Sequence, residues 1–177
     1  YVAKSLVSVD RLGNEEPVDI ERRPYYLPKI SPDGQSIAVV VEAREGADLW
    51  MYSIDRGTST RLTFDESRET SPLWSPDGRY VYYSSNRIDN LFRVATTGAH
   101  PIEQLTSSPN YQFPNAISPD GTILFFDELG IDLDLDLSVL KLSAEPRTEL
   151  LLHSEFAEFG AAPSPDGSRV CRSTPTT

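Results

Sequence analysis

Four copies of one tetrapeptide divide this chain. Ser-Pro-Asp-Gly begins at Ser31, Ser75, Ser118 and Ser164, so that successive starts fall 44, 43 and 46 residues apart. A repeat at this period restricts the fold more than any composition does, because each unit must be one supersecondary motif that buries itself against its neighbours. Inside the tetrapeptide, Pro presets φ for the first central position of a type I turn and Asp suits the second. Gly then takes the left-handed conformation that leads the chain back into a strand. Each copy is therefore a corner between two strands, a stability device rather than a binding site.

The flanks repeat as well. After each turn come QSIAVVVEA, RYVYYSS, TILFFDE and SRVCRS, rich in β-branched and aromatic residues. A third strand follows: DLWMYSID from Asp48, NLFRVAT from Asn90 and DLSVLKL from Asp136. A fourth ends at Thr63 (TSTRLT), Thr106 (PIEQLT) and Leu152 (RTELLL). Four short strands per period of about 40 to 45 residues, with no helical pattern, predict an all-β fold made of propeller blades with strands A to D. The ends are complementary. SLVSVD and GNEEPVD align with strands C and D, whereas APSPDGSRVCRS supplies only A and B. The expected organisation is a half-blade at 1–22, blades at 23–65, 66–108 and 109–153, and a second half-blade at 154–177, four blades' worth in all. Completing the half-blades within one chain gives a four-bladed ring; completing them between two chains gives an eight-bladed homodimer, which is the expectation, with a segment of a longer propeller as a further alternative.

Composition bounds the function. A formal net charge of −11 argues against nucleic acid, since a phosphate backbone rewards a basic face. No apolar run reaches the length of a membrane span. The chain opens YVAKSLVSVD, as expected either of a protein without a signal peptide or of one from which it has been removed. The single cysteine, Cys171, reads as a small buried hydrophobe and leaves the redox compartment open.

The Ser-Pro-Asp-Gly turn, the Asp48-Leu49-Trp50 of strand C and the Arg61-Leu62-Thr63 of strand D resemble the blades of TolB-type propellers. Similar blades occur in sensor domains of bacterial receptor-like kinases and in the propellers of prolyl oligopeptidase-like hydrolases. The resemblance covers essentially the whole chain; the third repeat departs from it, with Leu137-Ser138 in place of Leu-Trp. It implies a bacterial, periplasmic or extracytoplasmic protein-binding or sensing scaffold, or else a propeller segment of a larger enzyme or receptor kinase. Fold alone does not choose between them.

The residues favour binding over catalysis. No Gly-x-Ser-x-Gly elbow, His-Glu-x-x-His, Cys-x-x-Cys or phosphate loop is present, and the two histidines, His100 and His153, fall in a turn and at a strand end. The run GIDLDLDLSVL places Asp132, Asp134 and Asp136 at calcium-loop spacing. It has Leu137 in place of the loop glycine and Ser143 in place of the terminal glutamate. On a strand, alternate residues stand about 6.6 Å apart, so one ion would not reach all three; calcium is a weak candidate and no other cofactor is expected. The loops preceding each strand A are the candidate face for a protein or peptide partner: Arg22, Arg23, Tyr25, Arg68, Glu69, Tyr111 and Phe156, because exposed Tyr, Phe and Arg dominate interfaces. Tyr26, Phe113 and Phe159 are assigned to packing between blades, and Trp50 and Trp74 to the core.

Overall fold

The structure, a computed structural model, describes residues 2–98, 101–130, 135–153 and 157–173. Three antiparallel four-stranded sheets follow one another along the chain. The first blade is β3 (Tyr25–Ile30), β4 (Ser36–Ala43), β5 (Gly46–Ser53) and β6 (Thr58–Arg61). The second is β7 (Glu69–Trp74), β8 (Tyr80–Ser85), β9 (Asn90–Ala95) and β10 (Glu103–Gln104). The third is β11 (Tyr111–Ile117), β12 (Ile123–Leu129), β13 (Leu135–Lys141) and β14 (Arg147–Leu152). Two hairpins flank them, β1 (Val7–Val9) with β2 (Glu15–Pro17) and β15 (Phe159–Pro163) with β16 (Val170–Ser173). These hairpins form separate sheets, so within one chain the half-blades do not complete each other. No helix among the described residues is long and apolar enough to cross a membrane.

The four corners are built alike. Ser75 Oγ donates to Asp77 Oδ1 at 2.6 Å and accepts from Tyr80 N at 3.0 Å; Asp77 Oδ1 also accepts from Arg79 N at 3.0 Å. The Gly78 amide returns to Ser75 O at 2.9 Å, with the glycine at φ 70°. The other three turns reproduce each of these bonds. The serine hydroxyl, then the following amides, hold all four turn aspartates below the usual carboxylate range, Asp166 down to about 2.

The core lies in the seams between blades, because alternate residues of a central strand face opposite neighbours. Ala38 and Val40 of β4 meet Val81 and Tyr83 of β8. Tyr82 faces the other way, onto Leu124 and Phe126 of β12. Ile37, Val39 and Val41 turn back onto Leu6, Val18 and Ile20, which flank the N-terminal hairpin. Burying a side chain such as Phe126 stabilises a seam by about 1.5–3 kcal/mol. Trp74 is buried and donates its indole N–H to Lys29 O across one seam at 2.9 Å. Trp50 is only half-buried, covered by the Arg23 guanidinium 4.5 Å from its ring. Cys171, expected inside, is exposed: among the described residues no further strand or sheet covers β16.

Candidate functional site

Counted back six residues from each turn serine, one slot is buried in every unit: Tyr25, Glu69, Gln112 and Glu158 are between 1% and 3% exposed. The slot lies at the start of strand A, and in the last two units its amide is fastened to the preceding blade. Gln112 N donates to Asp89 O at 2.9 Å and Glu158 N to Leu135 O at 2.7 Å. Just beyond the slot, strand A bulges: the register slips after Tyr26, Thr70, Pro114 and Phe159. Leu27 and Ser71 hold left-handed φ values of 51° and 52° there, and Gly160 takes the same conformation at 73°. The bulge, rather than simple alternation, decides which aromatic is buried.

This geometry reverses one pair of expectations. Tyr25 is buried, its ring edge-on to Tyr52 at 5.7 Å and its hydroxyl bonded to Tyr52 Oη and to Glu21 O, so it is unavailable on a loop face. Tyr26, expected in the packing, is 37% exposed, and Phe159 is 42% exposed. Phe113 is half-buried.

A pocket of about 580 Å³ opens where the first three blades meet. Tyr26, Leu27 and Glu42 line it from the first blade, Arg68, Glu69 and Asp89 from the second, Tyr111 and Phe113 from the third. Arg68 forms an ion pair with Glu42, which holds that carboxyl below its ordinary range. The Arg68 backbone is clasped by Asn86, through Arg68 N to Asn86 Oδ1 at 2.7 Å and Asn86 N to Arg68 O at 3.1 Å. Glu69 accepts from Ser67 Oγ at 2.8 Å on Oε1, while buried Oε2 lacks a well-formed hydrogen bond. Burial pushes this carboxyl up to about 7; the Ser67 and Ser85 hydroxyls oppose the shift and the Asp65 and Asp48 carboxylates add to it.

The sequence pattern of the TolB beta propeller domain matches residues 6–175. The chain belongs to this family. Among curated proteins it is 31% identical over 152 residues to an uncharacterized protein of Agrobacterium fabrum, the match covering 82% of this chain and 52% of that protein. It is 33% identical over 119 residues to the uncharacterized peptidase YuxL of Bacillus subtilis, across 62% of this chain and 18% of the peptidase. The TolB of Acinetobacter baumannii superposes with a TM-score of 0.75 at 18% identity, over 95% of this chain and 45% of that one. The chain thus spans about half the length of the first of these relatives and a smaller part of the second.

Within this TolB-family arc, Arg68, Glu69 and Tyr111 come together at the pocket, joined by Tyr26 and Phe113. Arg22 and Arg23 do not reach it: Arg22 is exposed, and Arg23 pairs with Glu21 at 2.7 Å while covering Trp50. Phe156, Asp132, Asp134 and His100 lie outside the described residues. Asp136 is engaged by His153 Nδ1 at 2.7 Å. Asn90, the strand C polar residue of the second blade, bonds Ser108 N and O across the blade junction, while its counterpart Asp48 pairs with Arg61 at 2.8 Å. The buried slot itself was hidden from sequence reading because three of its four occupants are polar. The fixed offset from the turn serine is the signal that finds it.

Proposed function

We propose that this chain is a non-catalytic propeller scaffold that binds a protein or peptide partner at the mouth formed by the starts of its A strands. The observation that carries this reading is the pocket shared by three consecutive blades. It combines 52% exposed Tyr111 and 37% exposed Tyr26 with Arg68, residue types that anchor interfaces. Its volume lies in the range of sites that hold ligands. Capture from a bacterial extract on immobilised wild-type protein, run beside Tyr111→Ala/Arg68→Ala, tests it. A partner retained by the wild type and lost by the double variant, at nearly equal melting temperature, supports the reading. Equal retention by both overturns it.

Similarity to YuxL, a peptidase by its name, favours a second reading in which the propeller accompanies a hydrolase domain in a longer protein. The reading frame around this segment discriminates: an adjoining hydrolase domain supports the second reading, and its absence supports the scaffold.

A further inference from the structure

We propose that the pocket between the first three blades receives a single cationic side chain, the ammonium or guanidinium of a basic segment of a peptide. Glu69 would hold it, and the rings of Tyr26, Tyr111 and Phe113 would enclose it. This deepens the partner-binding reading and rests on it.

The first support is Glu69. Its side chain is 3% exposed and borders the pocket, and its Oε2 lacks a well-formed hydrogen bond. An ionised carboxylate buried in this way is costly until a positive charge or donors reach it. A cation entering the pocket supplies both. The lining carries three carboxyl groups, on Glu42, Glu69 and Asp89, against one guanidinium, and that guanidinium is already paired with Glu42. Around the site the chain as a whole carries a formal charge of −11, which steers a basic segment toward it.

The aromatic wall supplies the second support. Cations are attracted to the faces of aromatic rings, most strongly where water is partly excluded. The Tyr26 ring already takes one ammonium of this chain: Lys4 Nζ stands 3.5 Å from its centroid, and Lys4 is not among the residues lining the pocket. An apolar or anionic occupant fits less well. Either would cover Glu69 without giving Oε2 a donor, and an anion would face the carboxyl excess. A metal is not favoured by geometry, since no group of three His, Cys, Asp or Glu side chains among the described residues is placed to hold one.

The test uses blocked, fluorescein-labelled pentapeptides with alanine on both sides of one central residue: lysine, arginine, norleucine or acetyl-lysine. Binding is read by anisotropy at low salt. The lysine or arginine peptide is expected to bind at least about tenfold more tightly than norleucine or acetyl-lysine, the scale of one lost charge contact; which of the two binds better identifies the cation. Glu69→Gln and Tyr111→Leu are each expected to weaken that binding about tenfold, whereas Glu145→Gln, on an exposed turn, leaves it unchanged. Tyr111→Leu removes an exposed ring and keeps the test valid if the buried glutamate variant folds poorly. Equal affinity for the lysine and norleucine peptides, or wild-type affinity in Tyr111→Leu, overturns the inference. Displacement of the peptide by n-butylamine at equal concentration overturns the peptide as occupant in favour of a free amine. If a captured partner is lost by the Tyr111→Ala/Arg68→Ala pair but kept by Glu69→Gln, the cation site fails while the partner-binding reading stands.

Discussion

Replacing Glu69 by Gln should stabilise the protein at alkaline pH far more than at acid pH. The carboxyl is 3% exposed and its pKa rises from 4.5 to about 7, mainly through burial. Facing it are the carboxylates of Asp48 and Asp65, the Ser67 and Ser85 hydroxyls and the Tyr83 ring; Glu42, Arg68 and Asp89 share its pocket. Below 4.5 the folded and unfolded carboxyls are both protonated, and the group costs nothing. Between 4.5 and about 7 the unfolded chain releases this proton and the folded one keeps it, so stability falls as pH rises. Above 7 the penalty is complete, about 3 kcal/mol at roughly 1.4 kcal/mol per pH unit. Glutamine removes the titration but not the burial. The variant should therefore gain about 2.5 kcal/mol on wild type between pH 5 and pH 8, whatever constant offset the amide introduces. For a chain of this size that is roughly 5–10 °C of melting temperature. Differential scanning fluorimetry of both proteins across this range measures it. A difference that stays flat with pH would refute the argument and mean that Glu69 is hydrated or paired in solution.

Four further outcomes are expected. Ser71 sits at φ 52°, so Ser71→Val should cost about 1–2 kcal/mol and Ser71→Gly close to nothing in urea unfolding; equal effects would mean the strand is not bulged. Ser75→Ala removes the hydroxyl that joins Asp77 to Tyr80 N, and should cost about 1–2 kcal/mol by the same assay; a neutral result would show that the corner bonds do not stabilise it. Calcium and EDTA should leave the melting temperature unchanged, and a calcium-dependent rise of several degrees would make the Asp132, Asp134 and Asp136 run a metal site after all. If the open hairpins β1–β2 and β15–β16 complete one another between chains, light scattering returns twice the mass of one chain, and a one-chain mass refutes that closure.

Much of the fold was legible because the repeating corner is local: Ser, Asp and Gly satisfy one another within a few residues, so spacing alone places it. Strands B and C were legible for the same reason that they are buried, since Val39 and Phe126 of strand B and Leu91 of strand C are apolar in runs of strand-forming residues. Strand A was not. Its bulge shifts the register after Tyr26, and no residue type announces a left-handed leucine at position 27. Tyr25 consequently takes the packed place expected of Tyr26, and Tyr26 the exposed place expected of Tyr25. Glu69 presented a different difficulty. A glutamate beside Arg68 reads as part of a charged loop, and only the seam between blades reveals that one is exposed and the other 3% exposed. Cys171 failed in the opposite direction, because an apolar strand predicts burial only where a neighbouring sheet exists to bury it.

The self-sufficiency of the corners has a consequence for how such a chain can change. Among the described residues no corner takes a hydrogen bond from the blade beside it, so a unit can be copied, lost or exchanged without leaving these turns short of a partner. The disturbance falls on the seams, where Val81 and Tyr83 have to fit Ala38 and Val40. Copying is therefore cheap at one end of each hairpin and demanding along its flank. The four corners are spelled identically, while the slot six residues upstream holds tyrosine, glutamate, glutamine and glutamate in turn. Diversity enters this architecture one seam at a time, at the place where adjacent copies must be refitted to each other.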